Sequence, residues 1–129
     1  MRFRLIVMLT MLLGFLPSCG IGQTADLDQI VIEQLGRAGS DLSKPHRIEF
    51  FIYFPDSKGA SRALVALYGK KFDVDLSRPK KEGEKWLCKA NKTMVPELKA
   101  LQKIRKDFTA IAAANGGEYD GWGAEVVKQ

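Results

Sequence analysis

From Arg47 to Phe54 the chain alternates in a way that only a central β-strand satisfies. Ile48, Phe50, Ile52 and Phe54 fall on one face, and Glu49, Phe51 and Tyr53 on the other. Period-two alternation makes the segment a strand. Apolar or aromatic side chains on both faces make it a strand with neighbours on each side. Any fold for this chain must therefore build a sheet outward from this segment.

The flanking segments supply that sheet. A helix is expected from about Asp26 to Ala38, because Leu27, Ile30, Val31 and Leu35 recur at helical spacing. Gly36 weakens its end, and Gly39 suits the left-handed residue that closes a helix. Pro55-Asp56-Ser57 ends the central strand and opens a second helix, with Asp56 or Ser57 as N-cap. Ala60, Ala63, Leu64, Leu67 and Tyr68 form its apolar stripe, and Gly69 stops it. Lys71 to Leu76 alternates cleanly, with Phe72, Val74 and Leu76 inward, as a half-exposed edge strand does. A polar loop over 77–84 leads to a strand from Lys85 to Lys92. Pro96 stands where the first residue of a third helix would, since its missing N–H is of no consequence there. Leu98, Leu101, Ile104, Phe108 and Ile111 carry that helix to about Ala114. Asn115-Gly116-Gly117 ends it, and Glu118 to Val127 is a last strand interrupted by Gly121 and Gly123.

After the first helix the order is β-α-β-β-α-β. This is the split βαβ, or ferredoxin-like, arrangement: α+β, an antiparallel sheet, and helices on one face, here with an extra N-terminal helix.

The first 20 residues address location. Arg2 and Arg4 precede an apolar run from Leu5 to Leu16, followed by Leu16-Pro17-Ser18-Cys19-Gly20. A positive start, a short apolar core and small residues make a secretory signal. The run is roughly half of the ~20 residues a membrane-spanning helix needs. The cysteine behind a small residue resembles a bacterial lipoprotein signal, which implies cleavage before Cys19 and a lipid on its thiol. The expected layout is signal peptide 1–18, lipidated Cys19 with a tether to residue 25, and one domain over 26–129. The tether reaches about 20 Å when extended, so the domain would stay near the membrane. The expected location is the cell envelope, facing the periplasm. Gly20, where an aspartate would favour inner-membrane retention, leans toward the outer membrane. The alternative is a cytoplasmic chain with its N-terminus retained.

Removal of residues 1–18 leaves about 110 residues, enough for one core. The 20 basic and 15 acidic residues of the full chain give a net charge of +5, and two of those cations leave with the signal. This mild balance is far from that of a dedicated nucleic-acid binder. With Cys19 lipidated, Cys88 has no intramolecular partner, and the second of the two cysteines reads as a small buried hydrophobe.

No catalytic constellation is visible. The single histidine, His46, lies before the central strand and reads as a solvated loop residue. No second histidine or thiol cluster completes a zinc site, and Gly116-Gly117 follows a helix rather than a strand, the reverse of a phosphate loop. No cofactor or metal is expected, and the chain is not expected to be an enzyme. Phe51, Tyr53 and Trp86 would be the platform if the sheet bound single-stranded RNA; alternatively they pack beneath the first helix. RNA binding is the less favoured reading. The lysines Lys99, Lys103 and Lys106, with Arg105, read as a solvated helix face that would also attract anionic lipid.

The most distinctive segment is Gly116-Gly117-Glu118-Tyr119-Asp120-Gly121-Trp122-Gly123. Its glycines permit a bulge or close backbone approach. Tyr119 and Trp122 either present amphipathic rings to a partner or close the sheet as core residues. The Gly117 to Trp122 stretch resembles the ending of the regulator of ribonuclease E activity B family, the ribonuclease E inhibitor proteins. Leu35-Gly36-Arg37-Ala38-Gly39-Ser40-Asp41 and the strand 48–54 with Pro55-Asp56 resemble the family's first-helix end and first strand. The resemblance spans about Asp26 to Val127. It implies a ferredoxin-like fold with an extra N-terminal helix and a non-catalytic role in binding a protein partner, ribonuclease E being the family's target. An exported domain would not meet that cytoplasmic nuclease. Glu118, Tyr119, Asp120 and Trp122 are the candidate partner-binding residues, and Cys19 the candidate lipidation site.

Overall fold

The computed structural model describes residues 6–8 and 26–128. Among the described residues the chain is α+β, with an antiparallel sheet and three helices, compatible with the ferredoxin-like arrangement expected from sequence. The elements in order are β1 (Ile6–Met8), α1 (Leu27–Arg37), β2 (His46–Phe54), α2 (Ser57–Gly69), β3 (Asp73–Ser77), β4 (Trp86–Met94), α3 (Leu98–Ala114) and β5 (Glu118–Glu125). The strand order is β1-β5-β2-β4-β3. The central strand of the sequence reading is thus β2, between β5 and β4, and the alternating segment is the edge strand β3.

Signal cleavage, lipidation of Cys19 and the tether over 20–25 lie outside the described residues. The exception is Ile6–Met8, from the expected apolar signal core, which pairs with Gly123–Glu125 of β5.

The three helices share one face of the sheet. Ile48, Phe50, Ile52 and Phe54 are each fully buried beneath them. Phe50, Phe72 and Phe108 meet edge to face, with ring centroids 4.9–5.8 Å apart. Such quadrupole-favoured pairs add to the burial term. Val31, Ile32 and Leu35 of α1 join the same core. The first helix therefore extends the helical layer and does not cover the opposite face.

Each helix ends in the same way. After α1, Ser40 N–H donates to Leu35 O and Gly39 N–H to Gly36 O, with Gly39 at φ +94°. After α3, Gly117 N–H donates to Ala112 O and Gly116, at φ +75°, to Ala113 O. These paired bonds satisfy carbonyls a helix end otherwise leaves orphaned. In α2 the left-handed residue is not a glycine. The helix ends at Gly69, but Lys71 takes φ +67°, and the strand expected from Lys71 starts only at Asp73.

Four further expectations are corrected. Tyr68 is 55% exposed, because α2 buries only the Gly59, Ala60, Ala63 and Leu67 side of its stripe. Pro96 lies before α3, whose N-cap is Glu97. β5 ends at Glu125, since Val127 leaves the sheet to bond the Ser40 loop. His46 is a fully buried strand residue rather than a solvated one. Its Nδ1 lies 2.7 Å from Lys44 O, a carbonyl that only accepts, so Nδ1 carries the proton. Its Nε2 faces Ser40 Oγ, which in turn accepts from Val127 N–H at 2.9 Å. The histidine ties the C-terminal tail to the loop before β2.

Candidate functional site

The distinctive glycine-aromatic segment starts immediately after α3 and forms the first part of β5. It pairs with β2 in two registers. Ile52 faces Tyr119 and Phe51 faces Gly121, which leaves Asp120 as an extra residue in a bulge. Gly121 takes φ +103° there, a conformation that side chains rarely adopt. The bulge turns Tyr119 and Trp122 both toward the helices, while Glu118 and Asp120 stay near the rim.

Gly117 sets the approach of this segment. A Cβ built on it would stand 2.3 Å from Tyr53 O and 2.4 Å from Phe54 Cδ1. Backbone cannot yield like a flexible side chain, so Gly117→Ala is expected to destabilise by about 1–3 kcal/mol, the usual penalty of overpacking. Urea unfolding measures it, and a loss below about 0.5 kcal/mol would contradict the close approach.

Beneath the segment lies a buried polar network that the sequence did not disclose. Asp28, fully buried on α1, accepts from Arg105 Nε and Nη2 of α3, both at 2.9 Å, and from Trp122 Nε1 at 3.0 Å. The fork-to-carboxylate geometry is that of a strong charge-assisted pair. The Arg105 guanidinium also lies 5.2 Å from the Tyr119 ring centroid. Burial pushes the Tyr119 phenol well up, against the pull of Arg105. The four groups clamp α1, α3 and β5 together. Arg105 is thus a structural residue and does not belong with the solvated lysines Lys99, Lys103 and Lys106.

Above the network, Gly117, Glu118, Tyr119 and Asp120 form one wall of a cleft of about 320 Å³. The end of α3, with Thr109, Ala112 and Ala113, forms the other wall. Three of the four candidate binding residues line this cleft. Trp122 does not: it is 3% exposed, so its side chain supports the cleft from below. Glu118 is exposed and lies 3.7 Å from Lys85 Nζ. Burial raises the Asp120 carboxyl above its ordinary value, Glu118 adds to the shift and Lys85 offsets it.

That shift carries a sign. The folded state holds the Asp120 proton more tightly than the unfolded chain does. Its contribution to stability therefore falls as pH rises from the ordinary carboxylate range through the raised value. Asp120→Asn removes this dependence. The melting-temperature difference between Asp120→Asn and the parent chain is expected to grow in favour of the variant across that acid range, then level off. A difference that is flat with pH would contradict the shift.

The sheet face opposite the helices carries Glu49, Phe51, Tyr53, Leu87, Lys89 and Asn91. Trp86 is across from Phe54 and points to the helical side. The three aromatics considered as an RNA platform are therefore split between faces, and Phe51 is only 8% exposed. Cys88 is fully buried on the helical side, and burial pushes its thiol up to about 11.

The site is a two-walled cleft with two neighbouring carboxylates in its lining, on an α+β scaffold tied together by a buried ion pair. Over residues 25–124 the chain matches the family Regulator of ribonuclease activity B, and it belongs to that family. The family is one of regulators rather than of catalysts. No curated protein matches the chain.

Proposed function

We propose that this chain is a non-catalytic regulatory module of ferredoxin-like fold. It binds a protein partner through the cleft between α3 and β5, and a lipid on Cys19 holds it at a membrane. The observation that carries the reading is the crowding of Glu118 and Asp120 at the lip of a small, largely apolar cleft. Two neighbouring carboxylates, one of them partly desolvated, are relieved only in part by Lys85 and would be relieved further by a second cation. The partner segment therefore offers an arginine or lysine beside a short apolar side chain. Tyr119 provides the cleft's aromatic wall, and Trp122 holds that wall in place. A ribonuclease E-type protein is the partner that family membership favours.

The test uses Glu118→Lys with Asp120→Lys in the full chain, with ribonuclease E as the probe in a binding titration. Affinity is expected to fall at least about tenfold, about 1.4 kcal/mol, with the domain still folded at the assay temperature. Unaltered affinity would remove the cleft from the interface. Trp122→Ala is unsuitable here, since loss of a buried core residue would melt the domain.

A second reading is a cytoplasmic regulator with its N-terminus retained. The pairing of Ile6–Met8 with β5 favours it, because a cleaved signal could not contribute that strand. Intact mass with cell fractionation, comparing the native chain and Cys19→Ser, separates the two. A mature membrane-bound chain starting at a lipidated Cys19 supports anchoring; a full-length unmodified chain supports the cytoplasmic reading.

A further inference from the structure

On the helical side, along the first two-thirds of α3, a second cavity of about 450 Å³ opens between α3, β4 and the end of α2. Its floor is apolar, built from Phe72, Phe108 and Ile104. Lys70, Lys92 and Lys103 also line it. Lys92 occupies an inward-facing sheet position, across from the fully buried Ile48. Its ammonium lies 4.9 Å from the Phe72 ring centroid. The one carboxylate of the lining, Asp107, is 3.8 Å from Lys70. Among the described residues no carboxylate stands within salt-bridge distance of Lys92 or Lys103.

The cavity thus sets the Lys92 ammonium over an aromatic floor, with exposed Lys103 in the same lining, in a volume typical of small-ligand sites. A neutral apolar ligand would cover those ammonium groups and leave them uncompensated, which is unfavourable. A bare inorganic anion would leave the floor wet. We propose that this cleft binds an amphipathic organic anion, its alkyl or aryl body on Phe72, Phe108 and Ile104 and its carboxylate or phosphate head between Lys92 and Lys103. A free fatty-acid-like molecule and a bilayer lipid present the same chemistry.

The test is a titration of the full chain with decanoate below its micelle concentration, followed by backbone amide chemical shifts. Saturable shifts confined to residues 70–72, 92–94 and 103–108 are expected. Lys103→Glu and Lys92→Gln should each weaken binding about tenfold. Lys106→Glu, the same charge reversal on α3 outside the cavity lining, should leave it within about twofold. Decyl maltoside, with a neutral head, should give no saturable response. The proposal fails if decanoate gives no saturable shifts, if the maltoside matches it, or if Lys106→Glu weakens binding as much as Lys103→Glu. Phosphatidylglycerol vesicles are the second arm. Binding to vesicles but not to decanoate would overturn the cleft in favour of a flat basic membrane face, whereas decanoate binding that vesicles do not compete away identifies the free anion as the ligand.

Discussion

Arg105→Ala is expected to destabilise the domain by about 3–5 kcal/mol, the loss seen when one partner of a buried pair is removed. The effect comes from what is left behind. The Asp28 side chain is 1% exposed and that of Arg105 28% exposed, so the variant strands a carboxylate with only the Trp122 indole N–H as donor. The converse change, Asp28→Leu with Arg105→Met, replaces the pair by apolar groups of similar size. It should recover part of the loss but not all, since Trp122 Nε1 then lacks its acceptor. Urea unfolding of Asp28→Leu, of Arg105→Met and of the double variant closes the cycle. If Arg105→Ala lost less than about 1 kcal/mol, the pair would behave as a solvent-screened surface bridge.

Phe108→Ala should have a comparable effect, about 3–5 kcal/mol, because it removes the aromatic hub of the core. Phe108 is 1% exposed and meets Phe50, Phe72 and Tyr119 edge to face, at 5.3, 4.9 and 6.0 Å. β2, β5 and the connection before β3 would lose their common neighbour, and the surrounding rings are too rigid to refill the space. Phe108→Leu should lose distinctly less. Denaturant midpoints for both variants, with an unchanged slope, test the cavity explanation. A loss below about 1 kcal/mol for the alanine variant would mean that the core collapses around the gap.

The strand and helix order was legible because its signals are local. Ile48 to Phe54 alternates, Leu101 and Phe108 recur at helical spacing, and Asp56 caps the helix it precedes. What escaped the sequence depended on contacts between distant segments. Nothing in the sequence sets Asp28 apart from the other polar residues of the first helix, and only the packing of α1 beside α3 brings it to Arg105 and Trp122. His46 sits after Pro45 in turn-like sequence, and its burial follows from Ser40 and Val127 closing over it. Trp86 and Tyr53 both read as aromatics of one sheet platform, yet the β2–β4 register sends them to opposite faces. For the site, the chemistry of Glu118 to Trp122 stood out in sequence, but the bulge at Asp120 decided which of those side chains reach the surface. The cavity over Phe72 gave no signal in sequence, since Lys92 and Lys103 belong to separate elements and each looks like an ordinary solvated lysine.

Cys88 brings the question of compartment back in a different form. It is fully buried with its thiol pushed up to about 11, so very little thiolate exists at neutral pH and oxidants have no access to it. Among the described residues the fold contains no disulfide, and its interior is held by aromatic packing, helix closures and one ion pair. None of these depends on redox potential. The domain can therefore reach the same native state in a reducing cytosol and in an oxidising periplasm. Removal of residues 1–18 would take β1 away from the edge of β5, while the core residues from Val31 to Ala124 would all stay in the domain.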